Sequence, residues 1–268
     1  MKYIFSVIFI FFNLVHVQIV AQNTGVIVYE QIDIYNQKTL CSLYFSNEKS
    51  LYVSNRGTKT KTTKLTNGDI LDVNDTKKAM EQLSESNFRI FRYFIDEEGD
   101  IIYMNWKNDS LVFREVLKHD PIIVTELGLP KINWQITSET KKIGRFSCLK
   151  ASAAFRGRTY IAWFTTEIPI PTGPWKLHGL PGLILEAQDE KAEYKYIFQS
   201  IEIPLKNEEE LSKLPATGEK ITTTNYRNIL KQKEEEHVRA TLSKASARGM
   251  SLSMLPDQKI EQELNFDQ

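Results

Sequence analysis

Only two cysteines, Cys41 and Cys148, occur in the 268 residues. So few exclude a disulfide-dense scaffold, and neither belongs to a C-x-x-C motif. Charge of one sign is also missing: 34 basic residues face 34 acidic ones, so no global field draws the chain to nucleic acid or an anionic membrane. Histidine is scarce. Beyond the first 21 residues only His119, His178 and His237 remain, in three separate segments, which makes a three-histidine zinc site implausible. There is no G-x-S-x-G elbow, no H-E-x-x-H, no P-loop and no G-x-G-x-x-G. Past the N-terminus no apolar run is long enough to span a membrane as a helix. These absences point away from an enzyme, from a cofactor and from a metal site.

What is present begins with MKYIFSVIFIFFNLVHVQIVAQ. Lys2 supplies a positive start, Tyr3 to Phe12 is almost wholly apolar, and Ala21 is a small residue at a cleavage position. Asn13, His16 and Gln18 interrupt the run short of the ~20 residues a span requires. Residues 1–21 therefore read as a signal peptide, and 22–268 as one mature domain in the periplasm or outside the cell, with no transmembrane anchor after cleavage. No cysteine near the cut marks a lipid anchor. An oxidising compartment permits a disulfide between Cys41 and Cys148. Two buried thiols on separate strands are the competing reading, and the one favoured here.

Short runs rich in β-branched and aromatic residues dominate the mature part: GVIVYEQIDIY, LCSLYFS, SLYVS, FRIFRYFID, DIIYMNW, SLVFREVL and PIIVTEL. RGTKTKTTKLTNGD reads as a solvated loop or splayed hairpin, without the interleaved aromatics that stack nucleic-acid bases. NDTKKAMEQLSES reads as a short helix. From Ile132 to Ile203 short turns separate five strands, which favours an antiparallel meander. A charged helix follows over about 224–248, capped by Thr224 or Asn225, and then a tail expected to be partly mobile. The fold class is mainly β (α+β): a strongly curved antiparallel sheet or half-barrel with one or two helices.

One long joint, Pro169 to Pro181, breaks the meander and holds four of the nine prolines, Pro169, Pro171, Pro174 and Pro181. Each fixes φ and removes a donor, so the chain must leave the sheet there. Leu180-Pro181-Gly182-Leu183 has the pattern of a type II turn, with Gly182 in the φ > 0 position. Gly179, Leu180, Pro181, Gly182, Leu183 and Ile184 are read as a structural turn that packs down as a latch. His178 caps a loop carbonyl or packs on Trp175 in the favoured reading, and lines a pocket in the other. Arg156 and Arg158 flank Gly157 at a hairpin tip, either solvated or gripping a carboxylate. Arg158, Trp163, Trp175 and His178 are the candidate ligand-binding residues.

Trp134, Gly144, Cys148 with Lys150 and Ala151, FRGR at Phe155 to Arg158, Trp163, Ile168-Pro169, Gly173-Pro174 and GLPGLI at Gly179 to Ile184 together resemble the GLPGLI family. These are secreted or periplasmic proteins of unknown molecular function, mainly from Bacteroidota. The specific resemblance covers Trp134 to Asp189. Family genes often neighbour those of TonB-dependent outer-membrane receptors, which implies an envelope role but no chemistry. The expected function is non-catalytic binding of an apolar ligand, a peptide or such a receptor. The alternative is a periplasmic hydrolase or peptidase of unfamiliar type using Cys148 or His178.

Overall fold

The computed structural model describes residues 24–33, 36–56, 61–66, 69–72, 89–93, 96–117 and 120–247. The leader (1–21), the helix read in NDTKKAMEQLSES, His119 and the tail lie outside the described residues.

Twelve strands form one sheet. Its first group is β1 (Gly25–Ile32), β2 (Lys38–Phe45), β3 (Lys49–Ser54), then β7 (Asp100–Asn105), β8 (Ser110–Leu117) and β9 (Asp120–Leu127). Its second group is β10 (Gln135–Ile143), β11 (Phe146–Phe155), β12 (Arg158–Thr165), β13 (Leu183–Asp189) and β14 (Lys195–Glu202), and β15 (Glu219–Ile221) completes it. The order is β10-β11-β12-β13-β14-β1-β2-β3-β7-β8-β9-β15. Two antiparallel meanders thus join where β14 pairs with β1, with Ile27 opposite Ile201. A separate three-stranded sheet, β5-β4-β6, comes from β4 (Lys61–Thr66), β5 (Asp69–Asp72) and β6 (Arg89–Tyr93). This curved, open antiparallel sheet with a helix near the C-terminus is the architecture the strand spacing predicts. The polar segment RGTKTKTTKLTNGD contributes β4 and the start of β5, the hairpin rather than the loop.

Alternation along the strands sends one set of side chains inward. Ile27 and Tyr29 of β1, Cys41, Leu43 and Phe45 of β2, Leu111 and Phe113 of β8, and Cys148, Ala151, Ala153 and Phe155 of β11 all enter one continuous core. Each large apolar side chain there contributes on the order of 1.5–3 kcal/mol. A small second core on the other face gathers Leu51, Val53 and Ile101 with Tyr44 and Tyr103. Strand β10 ends at Ile143, and its turn is Gly144-Arg145.

The β9 edge is covered by a parallel pairing with β15, Lys220 opposite Ile123. Arg114, fully buried, makes that docking possible. Its Nε donates to the Thr217 carbonyl at 2.7 Å and its guanidinium pairs with Asp96 and Glu98. Glu98 in turn accepts from the N–H groups of Ala216 (2.6 Å) and Thr217 (3.0 Å). Burial works to raise the Glu98 carboxyl, but the hydrogen bonds from Thr217 and Ala216 outweigh it and hold the group below its usual range. The C-terminal helix α1 (Thr223–Ala247) is capped two to three residues before the expected position, because Thr222 supplies the cap. The Thr222 Oγ1 accepts from Asn225 N–H at 3.1 Å. Its first turns reach the core through Tyr226, Ile229 and Leu230.

Candidate functional site

The connection between β12 and β13, residues 166–182, is the most elaborated loop of the described chain. Its prolines keep it out of the sheet, and its backbone folds on itself instead. Ile170 N–H reaches the Ile168 carbonyl and Thr172 N–H the Ile170 carbonyl, both at 2.8 Å. Gly179 N–H closes the far end on the Pro171 carbonyl at 3.0 Å, and Thr172 and His178 form a bridge. Ile168, Ile170, Leu177 and Leu180 turn into the core, as do Leu183, Ile184 and Leu185 beyond it.

This plug interrupts the sheet. Strands β13 and β14 are matched only at Ala187–Tyr196 and Gln188–Lys195. At Ile184, where a β14 partner would stand, the N–H donates to the Thr172 carbonyl at 3.0 Å and the carbonyl accepts from the Tyr29 hydroxyl at 2.6 Å. The plug and one tyrosine thus replace strand pairing at the seam.

The expected turn geometry differs. Gly182 has no positive φ, and Leu183 N–H donates to the Ile168 carbonyl at 2.9 Å, so there is no type II turn over Leu180–Leu183. Gly182 is required for close approach, since a Cβ there would lie 2.1 Å from the Thr165 carbonyl oxygen. The left-handed positions of the plug are Gly179 (φ 88°) and Trp175 (φ 54°).

Polar groups on the plug reach both meanders. Thr172 Oγ1 bonds Ser50 Oγ of β3 at 3.0 Å. The Lys176 ammonium, almost wholly buried, sits 3.6 Å from the centroid of the Phe113 ring on β8. Trp175 packs edge-on against Phe155 at 5.8 Å and lies 5.9 Å from Tyr160. Beside it, Arg156 Nη2 of the β11–β12 turn bonds Glu126 Oε2 of β9 at 2.6 Å, with side-chain exposures of 2% and 10%. That ion pair joins strands near opposite ends of the sheet order. His178 Nδ1 donates to the Lys176 carbonyl at 2.8 Å, while Trp134 Nε1 donates to the His178 carbonyl at 2.7 Å. Burial pushes the His178 imidazole below its usual value, against the raising influence of the Lys176 and Pro130 carbonyls. Through Lys176 and Trp134 the residue acts as a tie within the loop and to the chain before β10.

The other candidates lie elsewhere. Arg158 bonds Asp189 (2.6 Å) and Glu193 (2.7 Å) and stacks 4.6 Å over Tyr194, so its fork holds the protein's own carboxylates. Trp163 carries the Lys141 ammonium 4.6 Å above its ring, and Lys141 also pairs with Glu186. Trp175 and His178 both lie on the plug, whereas Arg158 and Trp163 sit on β12 with partners of their own. Cys41 and Cys148 are free and buried, so the permitted disulfide is not formed. Burial raises both thiols to about 11. Among the described residues no group of three His, Cys, Asp or Glu side chains is placed to hold a metal ion. Ser50, Phe113, Glu126 and Lys176 are the members of the site that motif reading misses, because each looks like an ordinary strand or loop residue. On the outer face of β2 and β3, a cleft of about 400 Å³ lies between Lys38, Leu40, Tyr44, Val53 and Arg56, with Leu40 69% exposed.

Fold and site define a class: an open, curved, mainly antiparallel sheet with a built-in plug packed into its core. A family model described as a protein of unknown function (Porph_ging) matches residues 155–186, the stretch from the β11–β12 turn through the plug into β13. No curated protein matches the chain. Two solved structures of PNGF-II, in two different space groups, are each 15% identical, with TM-scores of 0.48 and 0.49. They cover 77% of this chain and 32% of their own, so the chain spans about a third of their length. An uncharacterized conserved protein from Thermus thermophilus is 9% identical with a TM-score of 0.37, over 75% of this chain and 90% of that one.

Proposed function

We propose that the chain is an exported, non-catalytic binding protein of the cell envelope that engages a protein partner, such as an outer-membrane receptor, through its outer surface. The plug carries this reading. Its Ile170, Leu177, Leu180 and Lys176 side chains are buried, the apolar ones within the main core of the sheet, which speaks against an open apolar groove there for a small ligand. The two groups an enzyme reading requires are poorly suited to chemistry. Cys148 is fully buried with its thiol raised to about 11, so almost no thiolate exists at neutral pH. His178 commits Nδ1 to a backbone carbonyl. The amino-terminal pattern of Lys2, an apolar run and Ala21 supports export.

The test places a photo-crosslinking residue at exposed Leu40 in cells producing the full chain, with an interior position, Ala151, as control. A discrete adduct with one envelope protein from Leu40, and none from Ala151, is the expected result. Absence of adducts from Leu40 and from a panel of other exposed positions would remove the partner-binding reading. Loss of a deletion phenotype's complementation by Cys148→Ala or His178→Ala, in folded protein, would replace it with catalysis.

A further inference from the structure

We infer that the cleft on the outer face of β2 and β3 receives an acidic segment of the protein partner, an Asp or Glu beside an apolar side chain. This rests on the partner-binding reading above and names the chemistry of the docking surface. Alternation builds the cleft. Along β2, Cys41, Leu43 and Phe45 enter the main core, so Lys38, Leu40, Ser42 and Tyr44 stand on the opposite face. Val53 of β3, paired with Ser42, adds to the floor. Val53 and Tyr44 also pack with Leu51, Ile101 and Tyr103 in the second core, which holds that floor in place. Arg56 lines the cleft too, its backbone fixed by a bridge to Asp96.

Charge decides what the cleft can hold. Lys38 and Arg56 both line it, and no Asp or Glu is among its described lining residues. On β10 to β13 the protein matches its cations with its own carboxylates: Arg158 with Asp189, Lys141 with Glu186, Lys150 with Glu139. In the cleft the matching is weaker. Lys38 meets Glu30 at 3.0 Å in a pair whose lysine is 60% exposed, and such exposed pairs are worth about 0–1 kcal/mol. Arg56 is exposed, with its Nε on a neutral acceptor, the Glu98 carbonyl, at 3.3 Å. A carboxylate entering here gains two cations and displaces little.

Shape decides the source of that carboxylate. The cleft measures about 400 Å³ but opens to solvent, with Leu40 69% exposed. Sites for free small molecules enclose most of the ligand surface. An open cleft suits a segment that its parent protein also holds elsewhere. Leu40, Val53 and the Tyr44 ring supply the apolar contact, so the acid needs an apolar neighbour.

An array of random octapeptides probed with the purified protein tests this. Retained peptides should be enriched in Asp or Glu next to Leu, Ile, Val or Phe, and raising salt from about 50 to about 500 mM should weaken their retention. Lys38→Glu and Arg56→Glu, both at exposed positions, should each lower retention about tenfold. No retention, no acidic enrichment, or equal retention by both variants overturns the inference. A concentration-dependent dimer that Lys38→Glu abolishes also overturns it, by placing a second copy in the cleft. In cells, the crosslinked adduct from Leu40 should vanish when Lys38→Glu and Arg56→Glu are combined. An adduct that persists keeps the partner and overturns this inference alone. No adduct from any exposed position of the wild type overturns the partner-binding reading and this inference with it.

Discussion

Gly182 and Gly179 stand three residues apart in the hexapeptide and meet different physical demands. A Cβ at Gly182 would drive into the Thr165 carbonyl at 2.1 Å, so backbone must move. Gly179 has φ 88° with nothing within 4 Å of an added Cβ, so it faces only the left-handed penalty. We expect Gly179→Ala to cost about 1 kcal/mol and Gly182→Ala at least ~3 kcal/mol, read from urea unfolding midpoints. The Pro-Gly dipeptide makes a bend legible in the sequence. It does not show that the glycine is there for a neighbouring carbonyl, because that carbonyl belongs to the far side of the loop. His178 gives a second residue-scale prediction. Its folded value lies below the ordinary 6.5, through burial, so the unfolded chain binds the proton first as pH falls. Stability contributed by the neutral ring is complete above 6.5 and declines as pH drops below 6.5 toward the folded value. His178→Gln should flatten that part of the stability–pH curve; an unchanged slope between pH 7 and 5 would show that the ring does not drive it.

Among the elements, strands with turn residues on both sides were the legible ones. The spacing of Gly144, Gly157 and the prolines delimits β10 to β14, and alternation assigns their faces. Strand β15 was not legible, because three residues, Glu219–Ile221, carry no pattern. It exists because Arg114, Glu98 and Asp96 fix the preceding coil through Thr217 and Ala216. Arg114→Met should release that coil, leaving Asp96 and Glu98 without their buried cation. Loss of a buried partner costs about 3–5 kcal/mol, reduced here because Asp96 is partly exposed. Protease nicking near residues 213–218 should rise with the destabilisation; resistance equal to wild type would mean the coil is held by other contacts. The helix α1 is anchored in the same region by Tyr226, which lies edge-on to Phe113 at 5.1 Å and donates to Glu115 at 2.7 Å. Tyr226→Phe keeps the ring contact and loses only the hydrogen bond, so about 1 kcal/mol is expected, against ~3–5 kcal/mol for the alanine variant.

At the scale of the molecule, the sequence reveals two meanders but not what makes them one body. Part of the answer is the β1–β14 ladder, which runs from Val26–Glu202 to Ile32–Lys195. The other part is the plug with Arg156–Glu126, which ties the second meander back to β3, β8 and β9. No local pattern encodes contacts between residues 30 to 122 positions apart in the chain. The two thiols report on this unity, since Cys41 lies in the first meander and Cys148 in the second. Both are buried, with thiols raised to about 11, so neither should react with a thiol reagent at pH 8 in the native state. Both should react in denaturant without added reductant, because no disulfide joins them. If the sheet is one cooperative unit, labelling of Cys41 and Cys148 should share one denaturant midpoint. Separate midpoints would mean that the β1–β14 ladder is a joint between independently folding halves, and that Arg156–Glu126 does not hold them together.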